Sequence, residues 1–356
     1  MSNNKYRGWK IVLLLLVVFL LPAHASETAE KEAFNPGKFI IGHISDAYGW
    51  HITAFGKNEI SIPLPVIVKS QDRGWFVFSS SRFEHGHAAY EGFELSTSDK
   101  YNGKVVEIQP NNGEIRPMDL SITKNVASLL ISAILLLVIF MSLAKHYRKA
   151  PMVSPRGFQG AMEVVVVFIQ NEVIKPCIGK DYLRYSPYLL TVFFFILINN
   201  LLGVIPFFPG GANLTGNIAV TFVLATCTFV AVNVFGSKHY WKDILWPEVP
   251  VWLKCPIPMM PFLELVGIFS KPVALMIRLF ANMLAGHMIA MVFMALIFVF
   301  GSISPMLGSG VSVLAILFAI FMNFLELLVI FIQAYVFTLL SSVFIGLSRM
   351  EPQKEH

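Results

Sequence analysis

Charge is what this chain has least of. Charged side chains make up 14% of its 356 residues and apolar ones 55%, against a usual charged share of about a quarter. So few charges cannot clothe a water-soluble globule, and so much apolar surface excludes intrinsic disorder. Cysteine is scarce too: Cys177, Cys227 and Cys255 are the whole set, none within 26–120 and none at metal-ligand spacing. The chain has no H-E-x-x-H, no G-x-S-x-G and no phosphate-binding loop, so zinc hydrolysis, serine hydrolysis and nucleotide chemistry have no carrier here. The net charge is +5, but no basic face is clustered as nucleic-acid binding requires. What remains is a polytopic α-helical membrane protein with no cofactor, no metal site and the lipid bilayer as its solvent.

Residues 1–25 read as a secretory signal. Lys5, Arg7 and Lys10 precede the apolar run Ile11–Leu21, and Ala23-His24-Ala25 offers a cleavage site before Ser26. The run is too short to span a bilayer. Residues 26–120 follow as a small β-rich exported domain with nine basic and thirteen acidic side chains. Strands are expected over Lys38–Ile44, Trp50–Phe55, Glu59–Val68, Trp75–Ser79 and Lys104–Ile108. Pro63 and Pro65 demote the third of these to an edge strand or extended arm. His43, His51, His85 and His87 read as ordinary surface histidines, since their spacing matches no ligand set.

Residues 121–356 form the membrane part. Five long apolar segments are expected to embed in the membrane: Ala127–Leu143, Pro187–Ile205, Ile218–Phe235, Pro261–Phe300 and Gly310–Leu347. Phe158–Ile174, with Met162, Val165, Val166, Ile169 and Val173 spaced among polar residues, suits an amphipathic surface helix. Lys145, Arg148 and Lys149, then Lys175, Lys180 and Arg184, then Lys238, Lys242 and Lys254 mark cytoplasmic loops. Residues 206–217 and 301–309 carry no charge and fit the outside. Arg349 and Lys354 place the C-terminus inside, consistent with an exported N-terminus and five crossings. The last two segments far exceed the roughly 30 Å hydrocarbon core and are expected to tilt, with Pro272 a kink near the start of the first.

Between Pro272 and Leu347 the basic and acidic side chains are one arginine, one histidine and one glutamate: Arg278, His287 and Glu326. Each costs about 2.5–3.5 kcal/mol at a bilayer centre even on gentle scales, which favours function over accident. Counting along two antiparallel helices sets Arg278 level with Gln333 and His287 level with Glu326. Asn282 lies one turn from Arg278 on the same side. Nine residues place His287 about 180° around the helix from Arg278. An arginine stays charged throughout, so it blocks a bare cation and attracts a carboxylate. A histidine beside a glutamate suits proton relay.

These residues sit in Ser270-Lys-Pro-Val-Ala-Leu-Met-Ile-Arg278-Leu-Phe-Ala-Asn282-Met-Leu-Ala-Gly286-His287, and Glu326 is followed by Gln333 seven positions on. With Asn200-Leu-Leu-Gly-Val-Ile-Pro206 and Thr215-Gly-Asn217-Ile-Ala-Val-Thr221, the chain over roughly 120–350 resembles subunit a of the F-type rotary ATP synthase. The resemblance implies an ion-conducting stator, not an enzyme. Its partners would be the c-ring, the b subunits of the peripheral stalk and protons or Na⁺. Arg278 would face the ring carboxylate between two offset half-channels. His287 and Glu326 would line the half-channel open to the outside, Asn282 and Gln333 would lie near the arginine, and Glu264 on the cytoplasmic half-channel. The place implied is a bacterial inner membrane, with the N-terminal domain periplasmic. Residues 26–120 depart from the family's short external N-terminus.

Two other classes fit less well. A secondary transporter would show internal repeats around broken helices, and none is visible. A structural scaffold leaves Arg278 amid apolar residues unexplained.

Overall fold

The computed structural model describes residues 36–55, 58–86, 88–98, 100–108, 113–149, 156–205, 210–245 and 259–349. The signal-peptide reading of 1–25 lies outside these residues, as do His87 and the side chains of His43, His51 and His85.

The first described element corrects an expectation. Pro36–Ile44 is a helix, α1, and not a strand. A short apolar run carries no decisive period. Pro36 is well placed at a first helical position, where its missing N–H costs nothing, and the helix packs against a long helix of the membrane part.

Among the described residues eight short strands follow: β1 (Gly49–Phe55), β2 (Asn58–Pro63), β3 (Pro65–Ser70), β4 (Gly74–Ser79), β5 (Phe93–Leu95), β6 (Val105–Ile108), β7 (Glu114–Ile115) and β8 (Met118–Asp119). They pair in the orders β1-β2, β4-β3-β8 and β5-β6-β7. The stretch Glu59–Val68 is thus two strands split at Leu64, and β3 is a central strand rather than an edge. Pro65 is tolerated because it is the first residue of β3, where its carbonyl still accepts from Ile122 N at 3.1 Å. Along β3, Val66, Val68 and Ser70 are buried and alternate with Pro65, Ile67 and Lys69, the period of two that one covered face dictates. Val66 and Val68 pack with Tyr48, Phe83, Phe93 and Val105 into the core of this region. At its rim Arg73 meets Glu107 at 2.7 Å.

The β-rich part joins the helices through a borrowed cap. Helix α2 (Lys124–Lys149) has unpaired amides at its start, as every helix does. Lys124 N donates to Ala47 O at 2.9 Å and Asn125 N to Asp46 Oδ1 at 3.1 Å.

The remaining helices are α3 (Phe158–Phe168), α4 (Lys175–Ile178), α5 (Tyr182–Val204), α6 (Ile218–Val234), α7 (Lys238–Leu245), α8 (Met259–Ile303) and α9 (Pro305–Arg349). Between α3 and α4 the backbone widens into a π-helical stretch, Ile169–Ile174. Among the described residues four helical stretches are long and apolar enough to cross a membrane, and five if α6 and α7, bent by 102°, count as one crossing. All five expected segments are helical. In Phe158–Ile174, Ile169, Val173 and Ile174 are fully buried while the apolar Val164, Val167 and Phe168 are exposed. The segment runs on into α5 within one long helical stretch, Phe158–Val204.

Helix α5 carries much of the buried core. Leu189, Phe193, Phe194 and Ile196 are fully buried and meet Leu275 and Leu279 of α8 and Ala334, Phe337 and Ile345 of α9. Helices α8 and α9 each have 45 residues, about 68 Å at 1.5 Å per residue. Helix α8 continues through Pro272. The expected loop over 301–309 is replaced by a much tighter reversal, with only Ser304 between the two helices. Ser304 N donates to Phe300 O at 3.2 Å and Gly308 N to Ser304 O at 2.8 Å, so the turn satisfies its own backbone. A Cβ on Gly308 would lie 2.7 Å from Gly301 Cα, and glycine alone permits that approach.

Candidate functional site

Helices α8 and α9 hold all six candidate residues: Glu264, Arg278, Asn282 and His287 on α8, and Glu326 and Gln333 on α9. Arg278, Asn282 and Glu264 are exposed on α8, while Leu275, Leu279 and Met283 on its other face are buried. The stripe is what an α-helical period makes of this sequence. Among the described residues no ion pair or hydrogen bond reaches Arg278. An exposed guanidinium on a long apolar helix is a charge presented outward.

His287 falls on the inner side of the same helix. Its Nδ1 stands 3.6 Å from Glu326 Oε1, with side-chain exposures of 13% and 7%. Gly286 lies beside this carboxylate: a Cβ there would sit 3.4 Å from Oε1, an ordinary contact distance. Glu326 Oε1 is buried and has no hydrogen-bond partner. A carboxylate oxygen buried without a hydrogen-bond partner is costly, which marks this pair as a candidate functional site. Gln333, two turns on, is also buried and shares the inner face of α9 with Glu326. The structure therefore brings His287 and Glu326 together and sets Arg278 and Asn282 on a different face.

Buried amides that sequence reasoning gave no separate role line the same end of the bundle. Asn199 and Asn200 on α5 are each 1% exposed. Thr215 donates its hydroxyl to Asn200 Oδ1, while Asn200 Nδ2 and Asn199 Oδ1 have no partner. Asn213 Nδ2 donates to Met283 O at 3.4 Å, one turn before His287. Asn217 caps α6 by accepting from Ala219 N at 3.0 Å. The signal available in the sequence was two adjacent asparagines closing a long apolar run. At the opposite end Tyr240 donates to Asn233 Oδ1 at 3.3 Å, beside a cavity of about 30 Å³ that Lys271 also lines.

Long apolar helices, a buried His–Glu pair and an outward arginine define a polytopic membrane protein with a few ionisable groups on its long helices. The comparisons name it more closely. The family model of the ATP synthase A chain matches residues 126–346, and a domain of unknown function matches 39–125. The chain is 42% identical over 289 residues to ATP synthase subunit a of Chlorobium phaeobacteroides strain DSM 266, covering 76% of this chain and 81% of that protein. It is 44% identical to the subunit a of Pelodictyon phaeoclathratiforme over 69% of this chain and 71% of the relative. Against that of Myxococcus xanthus it is 42% identical over 65% and 74% respectively. The chain belongs to the ATP synthase A chain family, the ion-translocating stator subunit of the F-type ATP synthase, which is not itself catalytic.

Proposed function

We propose that this chain passes protons, or Na⁺, through two offset half-channels to and from the carboxylates of a c-ring lying against α8 and α9. The observation that carries the reading is the division of faces: His287 and Glu326 lie 3.6 Å apart inside the bundle, while Arg278 is exposed on α8. An ion enters from outside past His287 and Glu326 and neutralises a ring carboxylate. The ring then turns through lipid. On its return the carboxylate is drawn toward Arg278 and releases its proton into the cytoplasmic path near Glu264. Asn282 and Gln333 serve as polar neighbours of the arginine. Arg278 keeps its charge under all working conditions, so it bars direct leakage between the half-channels. The c-ring and the peripheral-stalk b subunits are the partners of this reading.

The orientation proposed puts the β-rich region in the periplasm and Arg349 in the cytoplasm of a bacterial inner membrane. It follows from the basic loops and from the signal-like residues 1–25. The proposed organisation is a signal peptide at 1–25, an exported domain over 26–120 and the ion-conducting domain over 121–356. The amphipathic stretch 158–174 lies along the cytoplasmic membrane surface in this scheme.

The test is ATP-driven acidification of inside-out vesicles, comparing the unaltered protein with Arg278→Ala at equal protein level. Loss of acidification while ATP hydrolysis persists supports the assignment. Full acidification by the variant refutes it.

A further inference from the structure

Residues 39–125, matched by the model of a domain of unknown function, hold the helices at named points. Trp50 is 3% exposed, and its Nε1 donates to Gly210 O at 3.1 Å. Asp46 and Ala47 cap α2, and α1 packs against α8. Gly210 belongs to the connection between α5 and α6. A side chain there is excluded, because a Cβ would collide with the carbonyl oxygens of Leu202 and Ile205. Gly211 N donates to Leu202 O at 3.2 Å. The tryptophan thus anchors a backbone that is itself pressed onto the end of α5.

The same connection then enters the bundle. Asn213 reaches Met283 O at 3.4 Å and holds Gly216 N at 2.9 Å, and Thr215 meets Asn200. Met283 lies one turn before His287, and Gly286 lies against Glu326. The contacts form a series from Trp50 through Gly210 and Asn213 to the backbone beside the His–Glu pair. Gly210, Gly211 and Gly216 make this connection costly to order, since glycine loses the most conformational freedom on folding. An external anchor offsets that cost. The 3.4 Å contact is at the long end of a hydrogen bond, so a small displacement of the connection breaks it.

We propose that residues 39–125 clamp the connection between α5 and α6 and so fix the outer end of the ion path, with Trp50 as the positioning residue. The functional half of this rests on the half-channel reading of His287 and Glu326; the clamp itself does not.

The experiment uses the complete ATP synthase in proteoliposomes. Trp50→Phe keeps an aromatic ring and removes the N–H donor. Amide hydrogen exchange across 211–217 is expected to rise by about tenfold, the scale of one lost hydrogen bond. The rate of ATP synthesis should fall several-fold, and its dependence on the pH of the outer side should shift. A purely structural prop would not move that profile. Unchanged exchange overturns the clamp, and faster exchange with an unchanged pH profile overturns its role in ion entry. Asn213→Leu, which leaves Trp50 in place, should shift the profile in the same direction; an unaltered profile there also overturns the proposal and keeps it open to refutation should Trp50→Phe fail to assemble. Coupled transport surviving in Arg278→Ala would sink the half-channel reading instead, and the exchange result, which needs no ion path, would still decide the clamp.

Discussion

His287 Nδ1 faces Glu326 Oε1 at 3.6 Å across the seam of two 45-residue helices. The tight reversal at Ser304 sets this register: seventeen residues back from it is His287, and twenty-two on is Glu326. Charge exchange between the two positions is therefore testable as a pair. His287→Ala or Glu326→Gln alone should lower proton-driven ATP synthesis by about a hundredfold or more, the lower range for losing a proton-transfer group. The double replacement His287→Glu with Glu326→His should retain more activity than the product of the two single effects, because it restores an imidazole beside a carboxylate. Strictly multiplicative losses would show that the two side chains act apart.

Gly346 is where α9 crosses the short helix α4. A Cβ there would collide with the backbone carbonyl of Cys177, and a backbone atom cannot swing aside. Gly346→Ala should destabilise the purified subunit by about 1–3 kcal/mol, the usual cost of overpacking. Thermal melting of the detergent-solubilised protein would read this. An unchanged melting temperature would mean that α9 and α4 separate easily.

Tyr48 links the β-rich core to β8. Its hydroxyl donates to Asp119 and accepts from Val105 N at 3.3 Å. Burial first, and the Asp119 carboxylate second, push its phenol well above the ordinary 10.0. A raised folded-state value contributes stability that is fully present below about pH 10, where the unfolded phenol titrates, and is lost as pH rises toward the folded value. The β-rich region should therefore weaken above about pH 10. Tyr48→Phe should be less stable at neutral pH and should lose that alkaline step. Denaturation followed by tryptophan fluorescence at several pH values measures both.

The secretory reading of 1–25 predicts a mature chain beginning at Ser26. Intact-mass measurement of the protein isolated from its membrane would show this directly. A mass that includes Met1 would replace cleavage with a retained N-terminal segment.

Much of the membrane part was legible in the sequence because its signals are local. Apolar runs without charge read as helices, and all five are helical. Counting residues placed His287 level with Glu326 and on the side away from Arg278, since helical rise and period are constant. The β-rich region was read less well. Pro36–Ile44 is a helix because it packs on α8, and a seven-residue apolar run does not reveal its neighbour. Pro65 begins a central strand because β8 returns from fifty residues away to pair with β3, which no local rule foresees.

The sequence by itself determined that this chain lives in a membrane, and which few ionisable side chains it carries there. Both follow from composition and from a helical period that every apolar segment obeys. Only the tertiary structure decided that Trp50 anchors Gly210, that Asn213 reaches the backbone beside the His–Glu pair, and that Asp46 caps α2. Those contacts join residues far apart in the chain. Their partners are chosen by packing, which settles only when the whole bundle has closed.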